Sequence, residues 1–157
     1  MNGTIAERLS GFGRAYLDTM TVIYFIEEHP KYRGAVRPVF ELLDSQRLTG
    51  LSSYLTLLEV LVQPVRQGRP DLAQQYRETL LEAPGFTLFP VDRRIAEQGA
   101  AIRAQYGFRT PDAIQLATAA EHGAQVFITN DAQLRRFQEV QVLVLDKFVT
   151  DHQETKE

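Results

Sequence analysis

Residues 14–28, RAYLDTMTVIYFIEE, decide the fold, because four mostly apolar residues lead through an aspartate into an apolar helical segment. Arg14–Leu17 is typical of a short buried strand, and Asp18 is typical of a residue that caps the N-terminus of a helix. The helix is expected to end near Glu28, since His29 precedes a proline and such residues avoid helical backbone angles. A strand that passes directly into a helix is the beginning of a parallel β-α-β unit.

The same alternation continues along the chain. Further strands are predicted at residues 48–51, 86–89, 125–129 and 142–145. Helices are predicted at residues 32–46, 71–82, 92–106, 110–121 and 132–137. One more helix is expected to begin after a cap at Ser52 or Ser53 and to end near residue 66. This pattern predicts an α/β fold of three layers, α/β/α, around a central parallel sheet of about five strands. We divide the chain into a flexible polar lead-in (1–13), a single folded domain (14–149) and a polar tail (150–157).

The composition, 44% hydrophobic and 24% charged, is that of a soluble globular domain. The lack of cysteine excludes disulfides, thiolate metal sites and cysteine nucleophiles. No segment approaches the roughly 20 apolar residues of a membrane helix, and the start lacks a signal-peptide pattern, so we expect a cytoplasmic protein. The net charge of −3 does not favour a nucleic-acid partner, but fourteen of the seventeen basic residues are arginines, which bind phosphate well.

Three aspartates lie where helices are predicted to begin. Asp18 follows the first strand and Asp131 follows the fourth, and in open parallel sheets ligands bind beyond the carboxyl ends of the strands. Asp112 lies in the first turn of a helix that Thr110 is expected to cap. Each aspartate has a purely structural explanation, as a cap or through a helix-dipole interaction of about 0.3–1 kcal/mol. Asp92 occupies the same kind of junction, and we interpret it as a cap alone.

Glu59 lacks such an explanation. It lies well inside the segment YLTLLEVLV (54–62), a helix that is apolar on nearly every face and is therefore expected to be buried. A buried ionised carboxylate is costly unless it is paired with a cation or binds a metal, and both alternatives are open. Several carboxylates without histidines at ligand spacing would form a hard oxygen site suited to Mg²⁺ or Mn²⁺.

Four short motifs, in this order, resemble those of PIN-domain proteins, specifically the VapC-type toxins of toxin–antitoxin pairs. They are YLDT (16–19), TLLEV (56–60), TPDAIQLA (110–117) and FITND (127–131). The resemblance covers residues 14–149 and implies a PIN-like fold with one pocket that binds Mg²⁺ or Mn²⁺. The acids carried into the catalytic and metal-binding role are Asp18, Glu59, Asp112 and Asp131. The residues implied to orient ligands or water are Thr19, Thr56, Thr129 and Asn130.

The resemblance also implies a function: an endoribonuclease that hydrolyses RNA phosphodiesters with a metal-activated water, as the toxin of a toxin–antitoxin pair. It further implies a homodimer and a cognate antitoxin whose C-terminal segment lies across the acidic pocket. The apolar helices within residues 32–66 would offer a contact surface, or they belong to the core. Arg14, Arg109 and Arg135 are the arginines nearest to the acids in sequence and are candidates for positioning RNA.

Two other functions are compatible with parts of this pattern. A catalytically silent binding module would keep the PIN fold, but nothing in the fold alone requires position 59 to be acidic. A phosphotransferase with Asp18 as nucleophile would resemble the haloacid dehalogenases, in which a second aspartate follows two residues later. Met20 stands at that position here, which argues against this function.

Overall fold

The structure is a computed structural model and describes residues 3–149. Five parallel strands form one sheet in the order β3-β2-β1-β4-β5. The strands are β1 (Arg14–Leu17), β2 (Thr49–Ser53), β3 (Phe86–Phe89), β4 (Val126–Thr129) and β5 (Gln141–Val144). The α-helices are α1 (Ile5–Leu9), α2 (Thr19–Ile26), α3 (Arg33–Asp44), α4 (Tyr54–Arg66), α5 (Pro70–Arg77), α6 (Arg93–Tyr106) and α7 (Thr110–Glu121). A π-helical turn covers Glu78–Glu82, and 3-10 turns cover Ala132–Arg136 and Leu145–Phe148.

Strand β1 lies in the middle of the sheet and separates two hydrophobic cores. Ala15 and Leu17 point into a core shared with α1 to α5, whereas Tyr16 points into a core shared with α6 and α7. Tyr16 pairs in register with Leu51 on one side and with Phe127 on the other, and all three side chains are fully buried. Helices therefore cover both faces of the parallel sheet, which confirms the predicted three-layer α/β/α fold.

The N-terminal segment differs from the predicted flexible lead-in. Residues 5–9 form α1, because Thr4 and Glu7 make a reciprocal capping box at its N-terminus. Ile5 and Leu9 are 3% and 1% exposed and belong to the larger core, so this turn is anchored by packing. The division of the chain into lead-in, domain and tail stays a prediction, and the predicted tail, 150–157, lies outside the described residues.

The sequence predicted that helix α4 is buried on nearly every face, and the structure shows that it is not. Tyr54, Leu58, Val62 and Val65 are exposed by 46%, 61%, 41% and 67% and form one apolar stripe along the helix. Apolar periodicity does not distinguish a residue that faces the core from one that faces a partner or solvent.

Among residues 3–149, no helix has the length and hydrophobicity needed to cross a membrane.

The start of α7 also differs from the prediction. Thr110 is the first helical residue and not the cap, which is Arg109 and makes no side-chain capping hydrogen bond. The Thr110 hydroxyl instead accepts a hydrogen bond from Nη1 of Arg103 on α6, at 3.2 Å. This bond joins α6 to the beginning of α7, the turn of helix that carries Asp112.

Candidate functional site

A cavity of about 500 Å³ lies at the carboxyl edge of the sheet, beyond the ends of β1 and β4. The chain enters this region four times: after β1, along α4, at the start of α7, and after β4. All four predicted acids line the cavity: Asp18, Glu59, Asp112 and Asp131. Three of the four predicted orienting residues also line it: Thr19, Thr129 and Asn130. The fourth, Thr56, is fully buried beneath the cavity residues and reaches them through Gln115.

Asp18 is the acid most strongly affected by its surroundings. Its Oδ1 caps α2, accepting hydrogen bonds from the Thr21 backbone N at 3.1 Å and from the Thr21 hydroxyl at 2.8 Å. Burial, with a smaller contribution from the nearby charge of Asp112, raises the pKa of Asp18 to about 6, against the opposing effect of hydrogen bonds from Thr129 and Thr21. A cation in the cavity would favour the ionised form and reverse this shift.

The two remaining aspartates lie closer to solvent. Burial raises the pKa of Asp112, and the charge of Asp131 adds to the effect, whereas Arg109 opposes it from 3.5 Å (Nε to Oδ2). Asp131 is exposed, and its Oδ1 caps the following 3-10 turn by accepting a hydrogen bond from the Gln133 backbone N at 3.0 Å. The charge of Asp112 thus acts on Asp18, and the charge of Asp131 acts on Asp112.

Glu59 is only partly buried, because the neighbouring stripe of α4 is open to solvent. The Thr19 hydroxyl donates a hydrogen bond to its Oε1, and Nε2 of Gln115 lies 3.5 Å from the same oxygen. Between residues 3 and 149, no basic side chain lies within 4 Å of the Glu59 carboxylate. The salt bridge that the sequence left open as an explanation for Glu59 is therefore not formed, and neutral donors hold the carboxylate towards the cavity.

Gln115 is a site residue that the sequence analysis did not identify. Its side chain is 5% exposed, and its Oε1 accepts hydrogen bonds from the Tyr16 hydroxyl and, at 3.2 Å, from the Thr56 hydroxyl. Its Nε2 donates to the Thr19 hydroxyl at 3.0 Å and faces Glu59. The reverse orientation of the amide would place its oxygen against the carboxylate, so Glu59 fixes the orientation. The available signal was a polar residue three positions after Asp112, in the otherwise apolar stretch 113–117 of α7.

The donor set of the cavity fits a hard divalent cation, since carboxylates and hydroxyls line it and neither histidine nor cysteine does. Over the described residues, however, no three Asp, Glu, His or Cys side chains are already grouped closely enough to hold a metal ion. The chemistry of the ligands therefore fits Mg²⁺ or Mn²⁺, while the acids are more widely spaced than in an assembled metal site. Asp18, Glu59, Asp112 and Asp131 are the side chains that could hold the ion.

Only one of the three arginines suggested by sequence proximity lines the cavity. Arg109 does so. Arg14 begins β1 and so lies at the opposite edge of the sheet, where its Nη2 donates to the His122 carbonyl at 2.8 Å. Arg135 is exposed on the 3-10 turn after Asp131 and does not line the cavity. Of the three arginines, only Arg109 therefore lies where it could reach a ligand in this cavity, and a contact of any of them with RNA stays a prediction.

Comparisons with known proteins agree with this architecture. The PIN-domain family model matches residues 15–140. Among solved structures, a toxin–antitoxin complex from Klebsiella pneumoniae aligns with a TM-score of 0.63 and 23% identity, over 83% of this chain and 97% of that chain. VapBC from Salmonella typhimurium, bound to DNA, aligns with a TM-score of 0.67 and 21% identity, over 85% and 98%. VapBC2 from Rickettsia felis, bound to a promoter DNA fragment, aligns with a TM-score of 0.67 and 16% identity, over 83% and 98%.

No curated protein matches the sequence. At these identities the solved structures establish the fold alone, but the family model covers most of the chain, and the acids of its motifs meet at one edge of the sheet. The chain therefore belongs to the PIN-domain family.

Proposed function

We propose that this protein is a metal-dependent endoribonuclease and the toxin of a toxin–antitoxin pair. The observation that carries the proposal is the convergence of four acids from separate parts of the chain, Asp18, Glu59, Asp112 and Asp131, on one cavity. The fold by itself does not require acids at all four positions, and burial raises the pKa values of two of them, Asp18 and Asp112. Such perturbed carboxyls in a cleft are typical of functional sites.

The chemistry follows from how each side chain is held. Bound Mg²⁺ or Mn²⁺ would supply Lewis acidity and lower the pKa of a coordinated water. Asp18 is fixed by its cap to α2, so it would offer its carboxylate to the ion without reorganisation. Asp112 and Asp131 would complete the oxygen ligands, and Glu59, held by Thr19 and Gln115, would bind the ion or orient the attacking water.

Two further features support the proposed RNA substrate and the proposed protein partners. Arg109 lines the cavity with its side chain 80% exposed, so it could contact an RNA phosphate. The exposed stripe on α4, formed by Tyr54, Leu58, Val62 and Val65, is the kind of apolar surface that protein partners cover. We assign such a surface to the homodimer or to the cognate antitoxin, in line with the toxin–antitoxin complexes among the similar structures.

The test uses the purified wild-type chain beside Asp18→Asn and Glu59→Gln. We expect the wild type to cleave single-stranded RNA with Mn²⁺ and not with EDTA, and both variants to be strongly impaired. Mn²⁺ at ten to a hundred times its Kd should also stabilise the wild type by about 1.4–2.7 kcal/mol, which raises the melting temperature by about 3–10 °C.

Induced expression in cells is the second readout. The wild type should arrest growth, whereas Asp18→Asn should not. A catalytically silent binding module would instead bind RNA without cleaving it, and its melting temperature would be equal in EDTA and in Mn²⁺. That combination would refute the nuclease function.

A further inference from the structure

A second cavity, of about 350 Å³, adjoins the acidic one. The two share three lining residues, Arg109, Asp112 and Asp131, so they are neighbouring parts of one surface depression. The walls that belong only to the second cavity include Phe108 and Arg136. The proposed chemistry uses none of the walls that belong only to the second cavity, although any polymer in the acidic cavity has to leave it in some direction.

Arg136 is held in place by the end of α6. Its guanidinium carbon lies 4.7 Å from the centroid of the Phe108 ring, and its Nη2 donates to the Tyr106 carbonyl at 3.1 Å. Phe108 is itself buried and stacks on Tyr106, with ring centroids 5.2 Å apart. Gly107 makes the left-handed turn between them, with φ of 75°, which an L side chain adopts only with strain. The arginine is therefore pre-oriented, which lowers the entropic cost of binding a ligand.

The charge of Arg136 is free to act on a ligand. In the described part of the chain it has no carboxylate within 4 Å, whereas Arg109 is weakly paired with Asp112. A guanidinium has five N–H donors, and only one of those on Arg136 is used by the Tyr106 carbonyl. The remaining donors suit the paired oxygens of a phosphodiester.

We propose that the second cavity binds the RNA phosphate that neighbours the scissile one, with Arg136 and Arg109 as its donors. The assignment rests on the proposed function, since it takes the acidic cavity as the place of cleavage. It also explains why an arginine pair lies beside a cluster of carboxylates that would otherwise repel the substrate backbone. A single-stranded RNA would then run from the acidic cavity over Asp112 and Asp131 towards Phe108.

Arg135 provides a matched control, because it adjoins Arg136 in sequence, carries the same charge and lines neither cavity. The affinity of a fluorescent 12-nucleotide RNA is measured in EDTA, where cleavage does not interfere, over a range of salt concentrations. Arg136→Gln should raise the Kd about tenfold, the loss expected for a charge-assisted hydrogen bond, and should lower the salt dependence by about 0.7. Arg135→Gln should leave both quantities near their wild-type values.

A second variant, Arg109→Gln, guards against misfolding, because this side chain is exposed and its removal disturbs little packing. Arg109→Gln should also raise the Kd for RNA, as Arg136→Gln does. Equal Kd values and salt slopes for folded Arg136→Gln and Arg135→Gln would overturn the assignment, even if the wild type cleaves RNA. A selective loss of affinity in Arg136→Gln without cleavage by any form would support the phosphate site and refute the nuclease function.

Discussion

Asp18 and Asp92 occupy equivalent local positions, after β1 and before α2 in one case and after β3 and before α6 in the other. Each residue is an extended N-cap whose Oδ1 accepts a hydrogen bond from the backbone N three residues later. The distances are 3.1 Å from Thr21 and 3.0 Å from Ile95. In local structure the two strand–helix junctions are nearly interchangeable.

The surroundings of the two junctions differ. Strand β1 lies between β2 and β4, so Asp18 lines the same cavity as Asp131, which follows β4, and as the residues that α4 and α7 bring to the sheet edge. Strand β3 lies at one edge of the sheet, and Asp92 is exposed. A cap therefore says where a helix begins, and the position of its strand in the sheet decides whether the same carboxylate can join a site. The candidate acids Asp18 and Asp131 follow central strands, where parallel neighbours bring their carboxyl ends together.

The largest effect expected from this difference is on catalysis. Asparagine caps helices about as well as aspartate, so Asp18→Asn and Asp92→Asn should both keep their helices. We expect Asp18→Asn to lower the initial rate of RNA cleavage in Mn²⁺ by about 100-fold or more. Asp92→Asn should change it by no more than about twofold, as an ordinary surface substitution does. Equal losses in the two variants would show that the caps act through the fold and not through a site.

The second effect is on stability against pH in the metal-free protein. The pKa of Asp18 is about 6 in the folded chain, compared with an ordinary value of 3.8. The folded state therefore binds this proton more tightly than the unfolded state does, and it loses stability as pH rises through this interval. The loss amounts to roughly 2–3 kcal/mol once pH exceeds 6.

Urea unfolding in EDTA measures this loss. Asp18→Asn has no carboxyl to ionise, so its free energy of unfolding should rise relative to the wild type by roughly 2–3 kcal/mol between pH 4 and pH 7. Mn²⁺ at pH 7 should restore stability to the wild type and not to the variant. A constant difference between the two proteins across this pH range would mean that the folded chain does not disfavour the Asp18 carboxylate.

Much of the fold was predictable because its signals are local. The caps Asp18 and Asp92 and the strands Arg14–Leu17 and Phe86–Phe89 are encoded within a few residues. The parallel sheet predicted that Asp18 and Asp131 lie at the same edge, and the convergence of all four acids was implied by the resemblance to the PIN-domain motifs. The partial exposure of Glu59 was not predictable, because it depends on which face of α4 packs against the rest of the molecule. Likewise, nothing local distinguishes Arg136, which stacks on Phe108, from its neighbour Arg135.

Gln115 shows the same limit most clearly, since its role is defined by contacts with residues far away in sequence. Its amide joins Tyr16 on the central strand and Thr56 on α4 to Thr19 and Glu59 at the cavity. No corresponding network surrounds the cap of α6 at Asp92 in the hydrogen bonds of residues 3–149, where its side chain accepts only from Ile95. A substitution of Gln115 tests whether this network matters for cleavage and for stability.

The smallest of the three effects is expected from Gln115→Met, which keeps the size of the side chain and removes both amide donors. Glu59 and Thr19 would lose their shared donor, and we expect cleavage to fall by about tenfold, at the lower end of the range for residues that orient ligands. Unfolding should become easier by about 1–3 kcal/mol, because the buried hydroxyls of Tyr16 and Thr56 lose their acceptor. Gln105→Met, an exposed change on α6, is the control and should alter neither quantity.

Stability alone does not identify a positioning role, so the deciding measurement is the Mn²⁺ concentration that gives half-maximal cleavage. It should rise in Gln115→Met, because a Glu59 carboxylate without its donors populates orientations that do not face the ion. If Gln115 only fills the core, the folded fraction of the variant would cleave RNA with the wild-type Mn²⁺ requirement, whatever the loss of stability. That outcome would mean that the hydrogen bonds of Gln115 stabilise the core and do not position the four acids.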